Sequence, residues 1–395
     1  NTFNLNNYNM IAIDMDNTLV KYQLNNSLQL THTILQDILV DRYGYPADIK
    51  QQFQPKFNQK GLVVDKRRGN ILKLDANYRV MVAKHGFTDL DAVTIDAIYG
   101  TDKVHDELKQ MPQRLNMGTI GTDQVFDYYV IRDYFSVPSA QIFAQIVSVT
   151  DQLGAELSPV NGNYRRIWLD VYNSIGLMYG NNGLKTSFGE NLSASPDTYF
   201  IKISDKLQHM LRRLRKNGRL VILITSANVD VMRFMMQYAF GCDDWISCFD
   251  LVLTYARKPT FYTTDRPFLA VDHNNVIGNP VDGTDDLCSG QIYSEGNWQT
   301  VKTFASKLLA KSEPKCLYIG DSFNDDCMVP NLYAGCDTVG IVEELDESVR
   351  PDLDPSYWQS FFGDKQNNNP SLWAKILETH TKLLVPDVEC LVEYY

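Results

Sequence analysis

Three short apolar runs stop abruptly on polar residues. They are Met10–Ile13 before Asp14, Leu220–Ile224 before Thr225, and Cys316–Ile319 before Gly320 and Asp321. Each reads as a strand buried on both faces that delivers polar side chains at its C-terminal end. A fourth run, Leu251–Leu253, comes shortly before Lys258. Between these runs, apolar residues recur at helical spacing over Ile203–Lys216, Val229–Phe240 and Val301–Lys311. Asn217-Gly218 and Gly241 supply stop signals for the first two. This alternation predicts an α/β fold with a doubly wound parallel sheet, whose ligands bind where the strands end.

Thr225 follows Asp14 by roughly two hundred residues, far beyond an ordinary strand-to-helix connection. The interval must hold a folded unit of its own. Residues 1–24 and 197–395 are therefore expected to form the core, and 25–196 an inserted, mainly helical cap. Within the cap, residues 61–85 resemble a hairpin, Val125–Gly154 and Tyr164–Met178 carry helical patterns, and Gly180–Pro196 reads as the return linker. The aromatics of Tyr128–Phe135 are expected to pack on a helix, the alternative being that some of them face a substrate base. Between Thr225 and Lys258 there is room for one helix and one strand only. Val271–Gln299 reads as hairpins or loops.

Of the 395 residues, 44% are hydrophobic, enough for a sizeable core, and the formal net charge is −11. That acidic balance disfavours nonspecific contact with nucleic acid or an anionic membrane, but allows a local cationic pocket for a small phosphorylated molecule. Homo-oligomers and protein assemblies stay open. The seven cysteines show no Cys-x-x-Cys pair, which suits reduced thiols in the cytoplasm. No apolar run approaches the ~20 residues of a membrane helix, and the first residues lack a signal-peptide pattern.

The chemistry begins at Asp14-Met15-Asp16-Asn17-Thr18. Two carboxylates one residue apart after a buried strand suit transfer of a phosphoryl group to an aspartate, helped by Mg2+. Asp14 is the expected nucleophile. Asp16 is the expected acid toward the leaving alcohol and base toward water. Thr225 holds a phosphate oxygen, and Lys258 screens the charge of the aspartyl-phosphate. Asp321 ligates the metal beside Asp14 and the backbone carbonyl of Asp16. Asp325 or Asp326 completes the shell, and spacing does not choose between them. Taken singly, each piece also fits a helix cap, a turn or a solvated surface lysine; together and in this order they point to one site. His85 fits a satisfied surface or turn histidine better than a pocket residue.

At these residues the chain resembles the haloacid dehalogenase (HAD) superfamily of phosphohydrolases. Within it, the chain is similar to the cytosolic purine 5'-nucleotidase-like branch, and most to its 5'-nucleotidase domain-containing subgroup. The likeness is carried by Asp14–Leu19, Tyr43–Pro46, Gly61–Asp65, Gly69–Lys73, His85-Gly86, Ala256–Pro259, Tyr293-Ser294, Tyr318–Asp321, Trp358–Phe362 and Leu383–Pro386. It implies a Rossmann-like core with a cap inserted after the first strand, and Mg2+-dependent hydrolysis of nucleoside 5'-monophosphates. Asp16 in its place favours a phosphatase over the superfamily's ion-pumping ATPases, which carry Thr there. The purine-specific relatives read the base with an Arg, an Asp and a His on a cap helix; Tyr172, Gly176 and Tyr179 align there. Lys185 and Phe135, beside Ser136, match retained substrate-binding positions, and Ser226 and Ala227 follow Thr225. The catalytic parts are complete and the base-reading parts rewritten. The alternative is a weak or inactive nucleotidase fold serving as a scaffold or nucleotide-binding module.

Overall fold

The computed structural model describes residues 3–100, 108–111, 126–154, 163–180, 182–281, 287–348, 350, 354–364 and 368–395. All four apolar runs form strands: Met10–Ile13, Leu220–Ile224, Leu251–Thr254 and Cys316–Gly320, buried at every position. Aliphatic side chains on both faces leave no face for water, which is the condition for a parallel sheet covered on both sides.

These strands sit inside a nine-stranded sheet. Its order is Ile277–Pro280, Phe268–Val271, Gln291–Glu295, Leu251–Thr254, Leu220–Ile224, Met10–Ile13, Cys316–Gly320, Asp337–Ile341 and Leu383–Val385. The strands from Gln291–Glu295 to Leu383–Val385 all run parallel. The remaining two form an antiparallel hairpin at one edge. Ile13 is level with Ile319 on one side and Leu223 on the other. Asp14, Thr225 and Asp321 therefore leave the sheet at the same edge.

Capping fixes the flanking helices. Asp205–Lys216 starts at Ser204, whose hydroxyl accepts from the Leu207 N–H, and ends in Arg213, Arg215 and Lys216, where positive charge suits the helix dipole. Trp298–Leu309 is capped by the Asn297 side chain, which accepts from the Thr300 N–H.

The chain between Met10–Ile13 and Leu220–Ile224 builds a helical layer and a second sheet. The Leu24–Tyr43 helix packs against Val137–Leu153 and Tyr164–Tyr179. The second sheet is antiparallel, in the order Thr88–Asp89, Val80–His85, Asn70–Leu74, Val63–Asp65 and Tyr128–Val130. The hairpin expected over 61–85 is part of it. Gly61 opens that hairpin at φ +86°, with the Trp373 ring in the space a Cβ would need. One buried apolar cluster joins Ile13, Met15 and Val221 to Leu35, Phe143 and Trp168 of the inserted helices.

Three local expectations change. Gly180–Pro196 is no plain linker: it contains the short helices Gly183–Lys185 and Ser187–Ala194 and leads into Pro196–Tyr199. Thr186 caps the second by accepting from the Gly189 N–H, and Phe188 and Leu192 bury its inner face. Of the helical pattern assigned to Val125–Gly154, Val125 lies outside the described residues, and from Phe126 onward helix begins only at Val137. Tyr128–Phe135 begins as a strand instead, with Tyr128 opposite Asp65. Among the described residues, no helix is long and apolar enough to cross a membrane.

Candidate active site

Asp14 follows the central strand directly, and its backbone N–H bonds the Ile319 carbonyl at 2.9 Å. Its carboxylate lies 2.7 Å from the Lys258 ammonium. Lys258 also reaches Asp326 at 2.6 Å and the Tyr318 hydroxyl at 3.2 Å. The lysine arrives from the loop after Leu251–Thr254, where its backbone N–H bonds the Ser226 hydroxyl at 3.1 Å. Three elements distant in sequence thus meet at one ammonium group.

Asp326 is carried by a π-helical turn, Phe323–Met328, that opens two residues after Asp321. Its second carboxylate oxygen accepts from the Ser322 N–H at 3.0 Å. Gly320 makes this possible: a Cβ there would stand 2.4 Å from the Asp326 carboxyl carbon. Asp325 turns the other way, toward Asn324 at 2.7 Å and Arg132 at 3.6 Å. Geometry therefore brings Asp326, not Asp325, to Asp14 and Asp321.

Asp14, Asp321 and Asp326 are all buried, and each offers one oxygen within 4.8 Å of the others. One oxygen of Asp321, Oδ2, is buried without a hydrogen-bond partner. Hard anionic oxygens with an unsatisfied buried member fit a cation such as Mg2+ or Ca2+ better than a soft metal. The Asp16 side chain stands apart from this cluster. It accepts from the Tyr22 hydroxyl at 2.9 Å and from the Thr225 hydroxyl at 3.3 Å.

Burial dominates the electrostatics. It pushes Asp14 up to about 6, against the opposing pull of Lys258. It pushes Asp326 up to about 7 and raises Asp16 and Asp321 as well. Burial disfavours the Lys258 ammonium too, but Asp14 and Asp326 outweigh it and hold the group well above its ordinary value. A divalent cation would draw the three clustered carboxyls back toward the ionised form.

Beside Asp16 opens a cavity of about 280 Å³, lined by Tyr22, Phe135, Tyr179, Phe188, Leu192 and Ser226 among others. Its aromatic walls meet edge to face, with Phe135 5.3 Å from Tyr179 and Tyr179 4.9 Å from Phe188. Of the substrate-binding residues expected from sequence, Phe135, Tyr179 and Ser226 line it. The structure does not bring Tyr172 or Lys185 there: Tyr172 packs against Tyr129 at 5.8 Å, and Lys185 is exposed. His85 is satisfied between Asn70 and Asp151, at 2.8 Å from each. A larger cavity of about 610 Å³, around Arg350, Trp358 and Phe362, contains none of the clustered acids or Lys258.

Sequence reasoning missed four contributors. Tyr22 holds Asp16, and Tyr318 supports Lys258. Arg132 reaches Asp325, and Lys60 pairs with Glu343 at 3.1 Å and Glu344 at 3.5 Å near Asp321. Tyr318 had a signal, since it lies on the strand that leads to Asp321; Lys60 and Arg132 lie in loops, where periodicity does not tell which partners they meet.

The profile of the 5' nucleotidase family matches residues 1–361. A human protein named 5'-nucleotidase domain-containing protein 1 is 27% identical over 99% of this chain and 91% of its own length. Its bovine namesake is 26% identical over the same shares. A solved structure from a structural genomics programme aligns with 98% of this chain and 100% of its own at 11% identity, with a TM-score of only 0.34, too low to carry an argument. With the family profile covering nearly the whole chain, this protein belongs to the 5'-nucleotidase family.

Proposed function

We propose that this protein is a HAD-type phosphatase that hydrolyses phosphomonoesters, nucleoside 5'-monophosphates foremost, through a phosphoryl group carried on Asp14. The observation that carries this reading is the Lys258 ammonium held between Asp14 and Asp326, 2.7 and 2.6 Å away, beside Asp321. Residues 25–196 act as the cap that covers the strand ends.

In the first step an Asp14 oxygen attacks phosphorus and the bond from phosphorus to the ester oxygen breaks. Asp16, whose carboxyl burial keeps toward the protonated form, gives its proton to the departing alcohol. In the second step water attacks the phosphoryl group and Asp16 takes the water's proton. The Asp14–phosphorus bond breaks, which restores the carboxylate and releases phosphate. Thr225 stands beside Asp16 to hold a phosphate oxygen, and Lys258 balances the charge on Asp14 throughout. Asp14, Asp321 and Asp326 would hold Mg2+, which supplies neutralisation of the phosphate's charge when bound. The aromatic cavity next to Asp16 receives the leaving group, and Phe135 and Tyr179 in its lining offer aromatic surface to a base.

Phosphate release from p-nitrophenyl phosphate and a panel of nucleoside monophosphates, with Mg2+ and with chelator, tests the reading. Turnover is expected with Mg2+ in the wild type and loss of at least roughly a thousandfold in Asp14→Asn. Undiminished turnover in that variant overturns Asp14 as nucleophile. Nucleotide binding without any turnover in the wild type favours the binding-module alternative.

A further inference from the structure

In the proposed reaction the cavity beside Asp16 takes the leaving alcohol, so its wall decides which esters are accepted. Phe135, Tyr179 and Phe188 line it from the inserted segment, and Ser226 and Asn228 from the turn after Leu220–Ile224. Among its described lining residues, Asp16 is the one with a formal charge, and that carboxyl is the proposed acid toward the departing group. The lining carries five aromatic rings, those of Tyr22, Phe135, Tyr179, Phe188 and Tyr255.

The polar side chains of this wall already have partners within the protein. The Tyr22 hydroxyl donates to Asp16 at 2.9 Å, and the Tyr179 and Thr31 hydroxyls are bonded at 3.1 Å. The Thr186 hydroxyl donates to the Gly183 carbonyl at 2.9 Å and accepts from the Gly189 N–H at 3.1 Å. The Asn228 amide donates to the Gly180 carbonyl at 3.3 Å, and the Ser226 hydroxyl accepts from the Lys258 N–H at 3.1 Å. Spare capacity is small, chiefly the Ser226 proton and the rest of the Asn228 amide. A site that tells one base edge from another needs buried groups that the wrong edge leaves unpaired, and such a site rejects an analogue by about 10⁴–10⁵ in kcat/KM. An apolar wall separates close analogues by only about 10–200-fold. Stacking on aromatic rings tolerates every base, because every base has a π-face.

We infer that this cavity selects phosphomonoesters by the ring of the leaving group and not by the hydrogen-bonding edge of that ring. Purine and pyrimidine nucleoside monophosphates are accepted alike, compact aryl phosphates join them, and esters of alcohols without an aromatic ring are disfavoured. The volume of about 280 Å³ is near the lower end of the about 300–1,000 Å³ common for small-molecule pockets, which suits one compact leaving group. This selection rests on the phosphatase reading proposed above.

The test is kcat/KM of the full chain with Mg2+ for IMP, GMP, AMP, CMP and UMP, for 1-naphthyl phosphate, and for ribose 5-phosphate, a nucleotide without its base. The nucleotides and the aryl ester are expected within about a hundredfold of one another. Ribose 5-phosphate is expected at least about fivefold below the slowest of them, the lower bound for losing one stacked base. A wider spread among the aromatic esters, or a smaller gap to ribose 5-phosphate, overturns the inference and leaves the phosphatase reading standing. No turnover of any ester, p-nitrophenyl phosphate included, fails that reading and the inference with it. Phe135→Leu removes one ring and keeps the wall apolar, and Phe188→Leu does the same from the Ser187–Ala194 helix. Each variant shown by its melt to be folded is expected to narrow the gap between nucleotides and ribose 5-phosphate severalfold for all five bases together. An unchanged gap in the folded variants, or a loss confined to one base, overturns recognition by the ring.

Discussion

Tyr22 donates its hydroxyl proton to Asp16 across 2.9 Å. A donor of this kind favours the ionised carboxylate, opposing the burial that raises Asp16. Tyr22→Phe removes the donor and keeps the ring. Asp16 is then expected to hold its proton to higher pH, so the alkaline limb of the kcat profile moves up. Loss of a hydrogen bond to a charged group costs about 1.5–3 kcal/mol, which corresponds to a fall in kcat of roughly ten- to a hundredfold. An unchanged pH profile would separate Tyr22 from Asp16.

Lys258 is the one ammonium that touches both Asp14 and Asp326 among the described contacts. Lys258→Met leaves two buried carboxylates facing each other. Breaking a buried pair in this way costs about 3–5 kcal/mol, which a denaturant titration at neutral pH will show. Added Mg2+ is expected to recover part of that stability but not the rate, which falls roughly a hundred- to a thousandfold.

Stability should depend on pH with a defined sign. Burial moves Asp14 from 3.8 to about 6 and Asp326 from 3.8 to about 7. Both carboxyls therefore bind protons more tightly folded than unfolded. Their contribution to stability is present below pH ~4 and is lost as pH rises through 6 and 7. With chelator present, these two groups should lower the melting temperature across that interval. Mg2+ is expected to stabilise the protein more at pH 8 than at pH 5, since it binds the ionised form. Melts at the two pH values with and without Mg2+ measure this directly.

Gly320→Ala should damage the site without replacing an ionisable group. The added Cβ would lie 2.4 Å from the Asp326 carboxyl carbon. Overpacking of this kind typically costs about 1–3 kcal/mol. Asp326 must move to relieve it, so Mg2+ affinity is expected to fall along with stability. A melt and a Mn2+ titration of the same preparation check both.

Much of the core was legible in the chain because short apolar runs ending on Asp14, Thr225 and Asp321 have few other ways to satisfy both burial and backbone hydrogen bonds. Lys258 was legible from its place after the fourth strand. The choice of Asp326 over Asp325 was not, because adjacent residues differ only in which way the π-helical turn points them. Nor was Lys60, whose partner Glu343 is 283 residues away; periodicity does not say which loops meet. The polar composition of Gly180–Pro196 made it read as a linker. Its helices come from the Thr186 cap and from burial of Phe188 and Leu192, and the second of these is a tertiary effect.

The central position of Met10–Ile13 also sets the order of assembly on the ribosome. This strand emerges before both of its sheet neighbours, Leu220–Ile224 and Cys316–Gly320, which are synthesised much later. Until then its edges have no partner, and the helices that follow it must mature beside an unfinished sheet. A nascent chain arrested before Cys316 would hold Asp14 with neither Asp321 nor Asp326 yet made, so the three buried carboxyls come together only after Cys316–Met328 has been synthesised.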